Sequence, residues 1–227
     1  MPSQDYDPDF FQPIDLDHAK SIILGAPDSA LRDQRWAAET KFLGEMIPRE
    51  LELEERSLVL DFGCGIGRVA QALIEACNCN VLGIDINPGM LELAMAHVAS
   101  PRFAASSRFL LTRMIDAGLR VDHAIAIWVL QHSPALHDDV ALLHQVIVPG
   151  GLAFIANANS RCIPTTDGLH TDGLDVAAAL AMRFSKVADI AIPDALVDYI
   201  RDGDKIAPVQ LNQHAFVSVW RRPENAA

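Results

Sequence analysis

The segment "LDFGCGIGR" (60–68) sets an acid, Asp61, ahead of glycines at 63, 65 and 67. Glycines in such a loop let a ligand come close to the main chain, because no Cβ stands in the way. A dinucleotide loop reads G-x-G-x-x-G, and its last glycine lets helix and strand pack closely. Here the spacing is G-x-G-x-G, and Arg68 occupies the position of that last glycine. An acid at this place is awkward beside a pyrophosphate and suits a cationic amine. Asp85 ends the next apolar run, "VLGIDI" (81–86), 18 residues after Gly67. An acid at such a strand end accepts hydrogen bonds from both hydroxyls of a ribose. The site calls for a ribose, an amine and a portion small enough for the glycine turn. An α-amino acid joined to adenosine meets all three.

The elements that must position these residues follow from periodicity. "SLVLDFG" (57–63) is a short continuous apolar run, which predicts a strand buried on both faces. "GRVAQALIEAC" (67–77) and "PGMLELAMAHVA" (88–99) predict helices, the second with proline in its first turn. Further strands are expected at 81–86, 108–112, 123–131 and 151–158, with a helix at 135–147 ended by Pro149-Gly150-Gly151. Strands alternating with helices predict a mainly parallel sheet covered on both faces. Upstream, a short helix near Asp17–Leu24 and a longer one capped by Asp28 or Ser29 and ended by Pro48 are expected. Beyond residue 159 the pattern changes to a polar loop, a helix at 174–184 and two alternating strands at 186–192 and 214–221. Between those strands, 193–213 forms an insert with a short predicted helix.

Composition narrows the partners. The 227 residues carry 18 Lys and Arg against 30 Asp and Glu, a net charge of −12. Residues 1–56 hold 13 acids and 6 bases, so −7 of that charge lies in the first quarter. A surface that tracks nucleic-acid phosphates or an anionic membrane needs clustered Lys and Arg instead. The first residues have no basic and apolar leader pattern, and no apolar run reaches the length of a membrane span, so a cytoplasmic chain is expected. Four cysteines fit reduced thiols, and "CNC" (77–79) lacks a second ligand pair, so no metal site is expected.

Four ordered blocks resemble the class I S-adenosylmethionine-dependent methyltransferases: "VLDFGCGIGRVAQAL" (59–73), "VLGIDINPGMLELAMAH" (81–97), "VDHAIAIWVLQHSP" (121–134) and "LLHQVIVPGGLAFI" (142–155). The resemblance implies one domain over 1–227: an N-terminal helical cap (1–48), a cofactor-binding core (57–157) and a substrate-side segment with the final strand pair (158–227). It implies an α/β doubly wound fold with a seven-stranded sheet in order 3-2-1-4-5-7-6, strand seven antiparallel. It implies S-adenosylmethionine as cofactor and S-adenosylhomocysteine as product. Gly63, Cys64, Gly65 and Gly67 would bring main-chain N–H groups to the methionine portion, and Asp61 would face its ammonium. Asp85 would hold the ribose and Ile86 would pack on adenine, while Ala126 and Trp128 would border the methionine arm. The family's adenine-binding acid after strand three is missing: "TRMIDA" (112–117) stands there, leaving Met114 and Ile115 packing, or Asp116 from a shifted loop.

The sulfonium methyl is already activated, so alignment of donor and acceptor is the main task. A base is needed only where the acceptor must lose a proton. His132, in "WVLQHSP", is the candidate base, with a structural role as the competing reading; Gln131 divides the same way. The acceptor pocket is expected from 5–40, 159–173 and 193–213, which offer Tyr6, Phe10, Phe11, Arg32, Arg35, Trp36, Arg161, Tyr199 and Arg201, with His170 and His214 flanking. Arg35 is expected to pair with Glu39, its i+4 neighbour. The expected reaction is methyl transfer to a small-molecule acceptor at oxygen, nitrogen or carbon. A non-catalytic S-adenosylmethionine-binding protein is the alternative, and a nicotinamide oxidoreductase is opposed by Arg68.

Overall fold

A computed structural model of the chain describes residues 6–24, 29–202 and 205–224. Its centre is a seven-stranded sheet. In chain order the strands and helices begin with α1 (Leu16–Leu24), α2 (Ser29–Glu50), β1 (Leu58–Phe62), α3 (Arg68–Cys77), β2 (Asn80–Asp85) and α4 (Pro88–Val98). They continue with β3 (Phe103–Ser107), α5 (Arg108–Asp116), β4 (Val121–Ile127), α6 (Leu136–Val146) and β5 (Ile147–Ala158). The last are β6 (Ile163–Thr165), β7 (Gly168–His170), α7 (Val176–Ala181), β8 (Ser185–Asp189), β9 (Val197–Asp202), β10 (Lys205–Gln210) and β11 (Ala215–Arg221). The sheet order is β3-β2-β1-β4-β5-β11-β8, with β11 antiparallel to both β5 and β8. Counting only its strands, this is the expected 3-2-1-4-5-7-6.

Two apolar layers hold the sheet. On one face Leu43, Ile47, Val69, Leu73 and Ala94 from α2, α3 and α4 bury against Val59, Val81 and Phe154. On the other, Leu111, Leu136, Leu143 and Leu180 from α5, α6 and α7 bury against Leu60, Ala124 and Ile155. Successive residues of β1 serve opposite faces, which is why its sequence is apolar without alternation. A third, smaller cluster joins Ala19 of α1 to Ile66 and Met90, so the N-terminal cap sits on the glycine loop.

Four local expectations need correction. The strand expected at 108–112 is helix α5, and strand three lies earlier, at Phe103–Ser107. Ser107 Oγ accepts the Leu110 N–H at 3.3 Å and caps the helix, while Leu111 and Ile115 bury one turn apart. The short helix of the insert is only a 3-10 turn, Leu211–Gln213, among its described residues, and Val197–Asp202 pairs with Lys205–Gln210 as an unexpected antiparallel hairpin. The polar loop after residue 159 carries a small hairpin, β6 with β7, and Tyr6 bridges to Thr165 at its edge. Helix α2 runs past Pro48 to Glu50, because Leu51 donates to the Ile47 carbonyl and Leu53 to that of Pro48. Of the two caps expected for α2, Asp28 lies outside the described residues.

Candidate functional site

A cavity of about 620 Å³ opens at the carboxyl ends of β1, β2 and β4, where doubly wound sheets bind ligands. Its volume falls within the range of small-molecule sites, ~300–1,000 Å³. One half is lined by Asp61, Gly63, Cys64, Gly65, Asp85 and Ile86. The other is lined by Tyr6, Phe10, Phe11, His132, Leu169 and His214, which come from both ends of the chain.

The glycine loop is held by its own main chain. Gly63 and Cys64 donate to the Ile84 carbonyl at 2.7 and 2.9 Å, and Gly67 donates to that of Cys64. Gly63 has φ +77°, and a Cβ there would lie 2.4 Å from Val129 Cγ2, so only glycine fits. Asp85 accepts the N–H groups of Gly65 and Asn87, each at 2.9 Å, which ties the loop to the end of β2.

Asp61 is 2% exposed, and its Oδ2 has no hydrogen-bond partner among the described residues. Burial, then the nearby Asp85, pushes its pKa up to about 7, with Arg68 working against them. Ile86 is 48% exposed at the cavity wall, an apolar surface open to the cavity. Cys64 is buried, and burial pushes its thiol well above the ordinary range, so it is no nucleophile here.

Behind this half lies a buried charge cluster. Glu39 pairs with Arg68 at 2.8 Å and Arg35 at 3.2 Å, and accepts the indole N–H of Trp128 at 2.5 Å. Burial disfavours its charge, but Arg68 and Arg35 outweigh it and hold the carboxyl below the usual range. Trp128 itself has φ +58°, a strained conformation for a bulky residue at the exit of β4.

The comparisons with known proteins agree with this geometry. A family model described as "Methyltransferase domain" matches residues 59–151. The ubiquinone biosynthesis O-methyltransferase of Pseudomonas aeruginosa is 27% identical over 154 residues, covering 63% of this chain and 64% of that protein. The O-methyltransferase rstn1 of Aspergillus nomiae is 27% identical over 139 residues, covering 60% and 62%. The chain thus spans less than two thirds of the length of the curated relatives it matches. Among solved structures, the N-methyltransferase NodS of Bradyrhizobium japonicum, in complex with S-adenosyl-L-homocysteine, superposes with a TM-score of 0.63 at 15% identity, over 92% of this chain and 98% of that one. Residues 59–151 thus resemble a methyltransferase domain, on a fold shared with NodS.

The cavity gathers Asp61, Gly63, Cys64, Gly65, Asp85, Ile86, Trp128 and His132 in its lining. Five expected residues lie elsewhere. Gly67 starts α3 and packs against α4, where a Cβ would meet Val98 at 2.5 Å. Ala126 faces the α6 side of the sheet, and Ile127 lines the cavity instead. Met114 and Ile115 belong to α5 and pack into the same layer, since strand three ends at Ser107 and not at Thr112. Asp116 ends α5 and is not in the lining. The loop's N–H groups are also satisfied internally, so they do not point to a ligand as expected.

The remaining expectations divide similarly. Tyr6, Phe10, Phe11 and Arg35 line the cavity, and the Arg35–Glu39 pair forms. Arg32 pairs with Asp17, and Arg161 clamps the carbonyls of Leu130 and Ser133 at 2.8 and 2.6 Å. Trp36 is outside the lining: it lies under Lys20 and Arg68 and against His97. His170 is exposed outside the cavity, while its neighbour Leu169 lines it. The side chains of Tyr199 and Arg201 lie outside the described residues. Asp198, Arg108 and Ile23 line the cavity without having been marked by their sequence context. Arg108 was hidden by the misplaced strand, and Ile23 by the contact of α1 with Gly65.

His132 packs edge-on against Phe11, with ring centres 5.2 Å apart. Its Nδ1 lies 2.7 Å from the Cys162 carbonyl, which requires an N–H there. Its Nε2 lies 3.2 Å from Gln131 Nε2, whose amide orientation follows from Gln131 Oε1 accepting the Ala158 N–H at 2.7 Å. Burial holds His132 below its ordinary pKa, so it is a neutral imidazole with both nitrogens engaged.

Proposed function

We propose that this chain transfers a methyl group from S-adenosylmethionine to a small-molecule acceptor. The observation that carries the reading is Asp61 Oδ2, a buried carboxylate oxygen without a partner beside the glycine loop. An ammonium group there would complete its hydrogen bonding and stabilise its charge. Asp85 would take the ribose hydroxyls, exchanging its contact with the loop for charge-assisted bonds. Ile86 would cover one face of the adenine, and Trp128, fixed by Glu39, would border the methionine arm. When bound, the cofactor supplies a methyl group already activated on a sulfonium. The protein's own residues align the acceptor with it and exclude water, and the aromatic strap of Phe10 and Phe11 belongs to that second role.

The names of the relatives, O-methyltransferases of biosynthetic type, support a small-molecule acceptor. The net charge of −12 argues against nucleic acid, and no helix among the described residues is long and apolar enough to cross a membrane. The test is incubation with methyl-labelled S-adenosylmethionine and a panel of small hydroxy-, amino- and carbon-nucleophile compounds. Label is expected in at least one compound with equimolar S-adenosylhomocysteine. Cofactor binding without label transfer to any of them would instead favour a binding protein.

A further inference from the structure

Among the described residues, three arginines line the cavity, and their partners separate them. Arg35 is held by Glu39, Asp198 and the Leu24 carbonyl, and Arg68 by Glu39 and Thr40. Both are buried. Arg108 is different. Its Nε donates to Asp139 Oδ1 at 2.6 Å, but its two terminal nitrogens have no partner among the described residues. Its side chain is 37% exposed, so a bound molecule can reach it. Asp139 is itself buried and fixed, its Oδ2 accepting the Ser133 hydroxyl at 2.5 Å. The guanidinium is therefore held by one edge and open at the other.

Strand register puts this open fork beside the place proposed for the cofactor. Asp85 of β2 is the register partner of Ser107 of β3, so Ile86 and Arg108 leave neighbouring strands side by side. Both line the cavity. Because β3 ends at Ser107, the adenine-binding acid that the sequence resemblance implies would belong to this same turn. No acid stands there: Ser107 Oγ accepts the Leu110 N–H to cap α5, and Arg108 follows it. The nearby carboxylates of the lining are committed. Asp139 has one donor on each oxygen, and Asp85 holds the N–H groups of Gly65 and Asn87.

The two kinds of side chain read a purine differently. An acid accepts from the 6-amino group of adenine. A guanidinium cannot accept, since it carries donors only. Its paired N–H groups match two acceptors, such as N7 and O6 of a 6-oxopurine. Adenine offers N7 as an acceptor, but its amino group is a donor. A guanidinium therefore binds adenine through a single ring nitrogen and does not select for the amino group.

We propose that Arg108, oriented by Asp139, contacts the purine of the bound cofactor as a donor, so that the site accepts a 6-oxopurine at least as well as adenine. The ligand this adds is S-inosylhomocysteine, the deaminated form of S-adenosylhomocysteine. The proposal rests on the methyl-transfer reading above. Arg108 then sets nucleoside specificity and takes no part in the chemical step.

The test is calorimetric titration of the full chain with S-adenosylhomocysteine and S-inosylhomocysteine. Wild-type protein is expected to bind the inosine compound at least as tightly. Arg108→Ala is expected to weaken that compound by about tenfold and the adenosine compound by less, because adenine loses one acceptor contact and not two. Arg108→Lys keeps a cation beside Asp139 but loses the planar fork, so it should shift the ratio of affinities the same way with an unchanged melting temperature. A merely structural role would weaken both compounds alike and leave that ratio unmoved. A tenfold preference of the wild type for S-adenosylhomocysteine overturns the assignment and leaves the methyl-transfer reading standing. So does a ratio unchanged in both variants. Binding of neither compound removes that reading and this one together.

Discussion

The part of the cavity proposed for the cofactor and the part proposed for the acceptor are built in opposite ways. Asp61, Gly63, Gly65, Asp85 and Trp128 sit at or just beyond the ends of β1, β2 and β4, which pair directly in the sheet. Their positions follow from strand register and one turn. The acceptor half draws Phe11, Leu169, Asp198 and His214 from segments scattered along the chain. Their meeting depends on tertiary docking, such as the Tyr6–Thr165 bridge and the β9–β10 hairpin. A catalytic framework can thus be fixed by the core while its selectivity is set by segments free to vary.

Glu39 is where the two halves meet, through Trp128 and Arg68 on one side and Arg35 and Asp198 on the other. The largest expected effect is therefore Glu39→Ala. It leaves Arg68 and Arg35 buried without that carboxylate and should cost ~3–5 kcal/mol of stability, read by urea unfolding. Loss of cofactor and acceptor binding together would support the junction; loss of only one would break the comparison.

A more selective effect is expected at Asp85. Asp85→Ala should weaken S-adenosylhomocysteine by about tenfold or more, since hydrogen bonds to a charged group are worth ~1.5–3 kcal/mol each. Calorimetry checks the affinity, and acceptor binding should hardly change. An equal loss in both would mean that Asp85, which also holds Gly65 and Asn87, acts by shaping the whole loop.

This contrast also explains what could be read without coordinates. Asp61, Gly63 and Asp85 were legible because strand ends and a glycine turn are short-range patterns, while the sheet order and Trp128 came from the family resemblance of four ordered blocks. Strand three was misplaced because "RFLLT" is an apolar run that suits strand or helix equally, and only the Ser107 cap decides. Met114 and Ile115 were misassigned by the same slip. The Asp198–His214 pair joins residues 16 apart across a hairpin in an insert read only as holding a short helix, so no local pattern announced it. His132 was legible as a residue of the site, but its engagement with Cys162 and Gln131 depends on where the segment after β5 folds back.

The central claim is that Asp61 and its loop hold the amino-acid end of S-adenosylmethionine, and its most direct test is calorimetric titration with S-adenosylhomocysteine and NAD. With its carboxyl pushed up to about 7, Asp61 is protonated below that pH and charged above it. An ammonium favours the charged form, so binding should tighten from about pH 6 to about pH 8 and should release a proton at the lower pH. The account predicts S-adenosylhomocysteine binding with that pH dependence and no binding of NAD. Binding of NAD in preference, or no binding of S-adenosylhomocysteine at either pH, would contradict it.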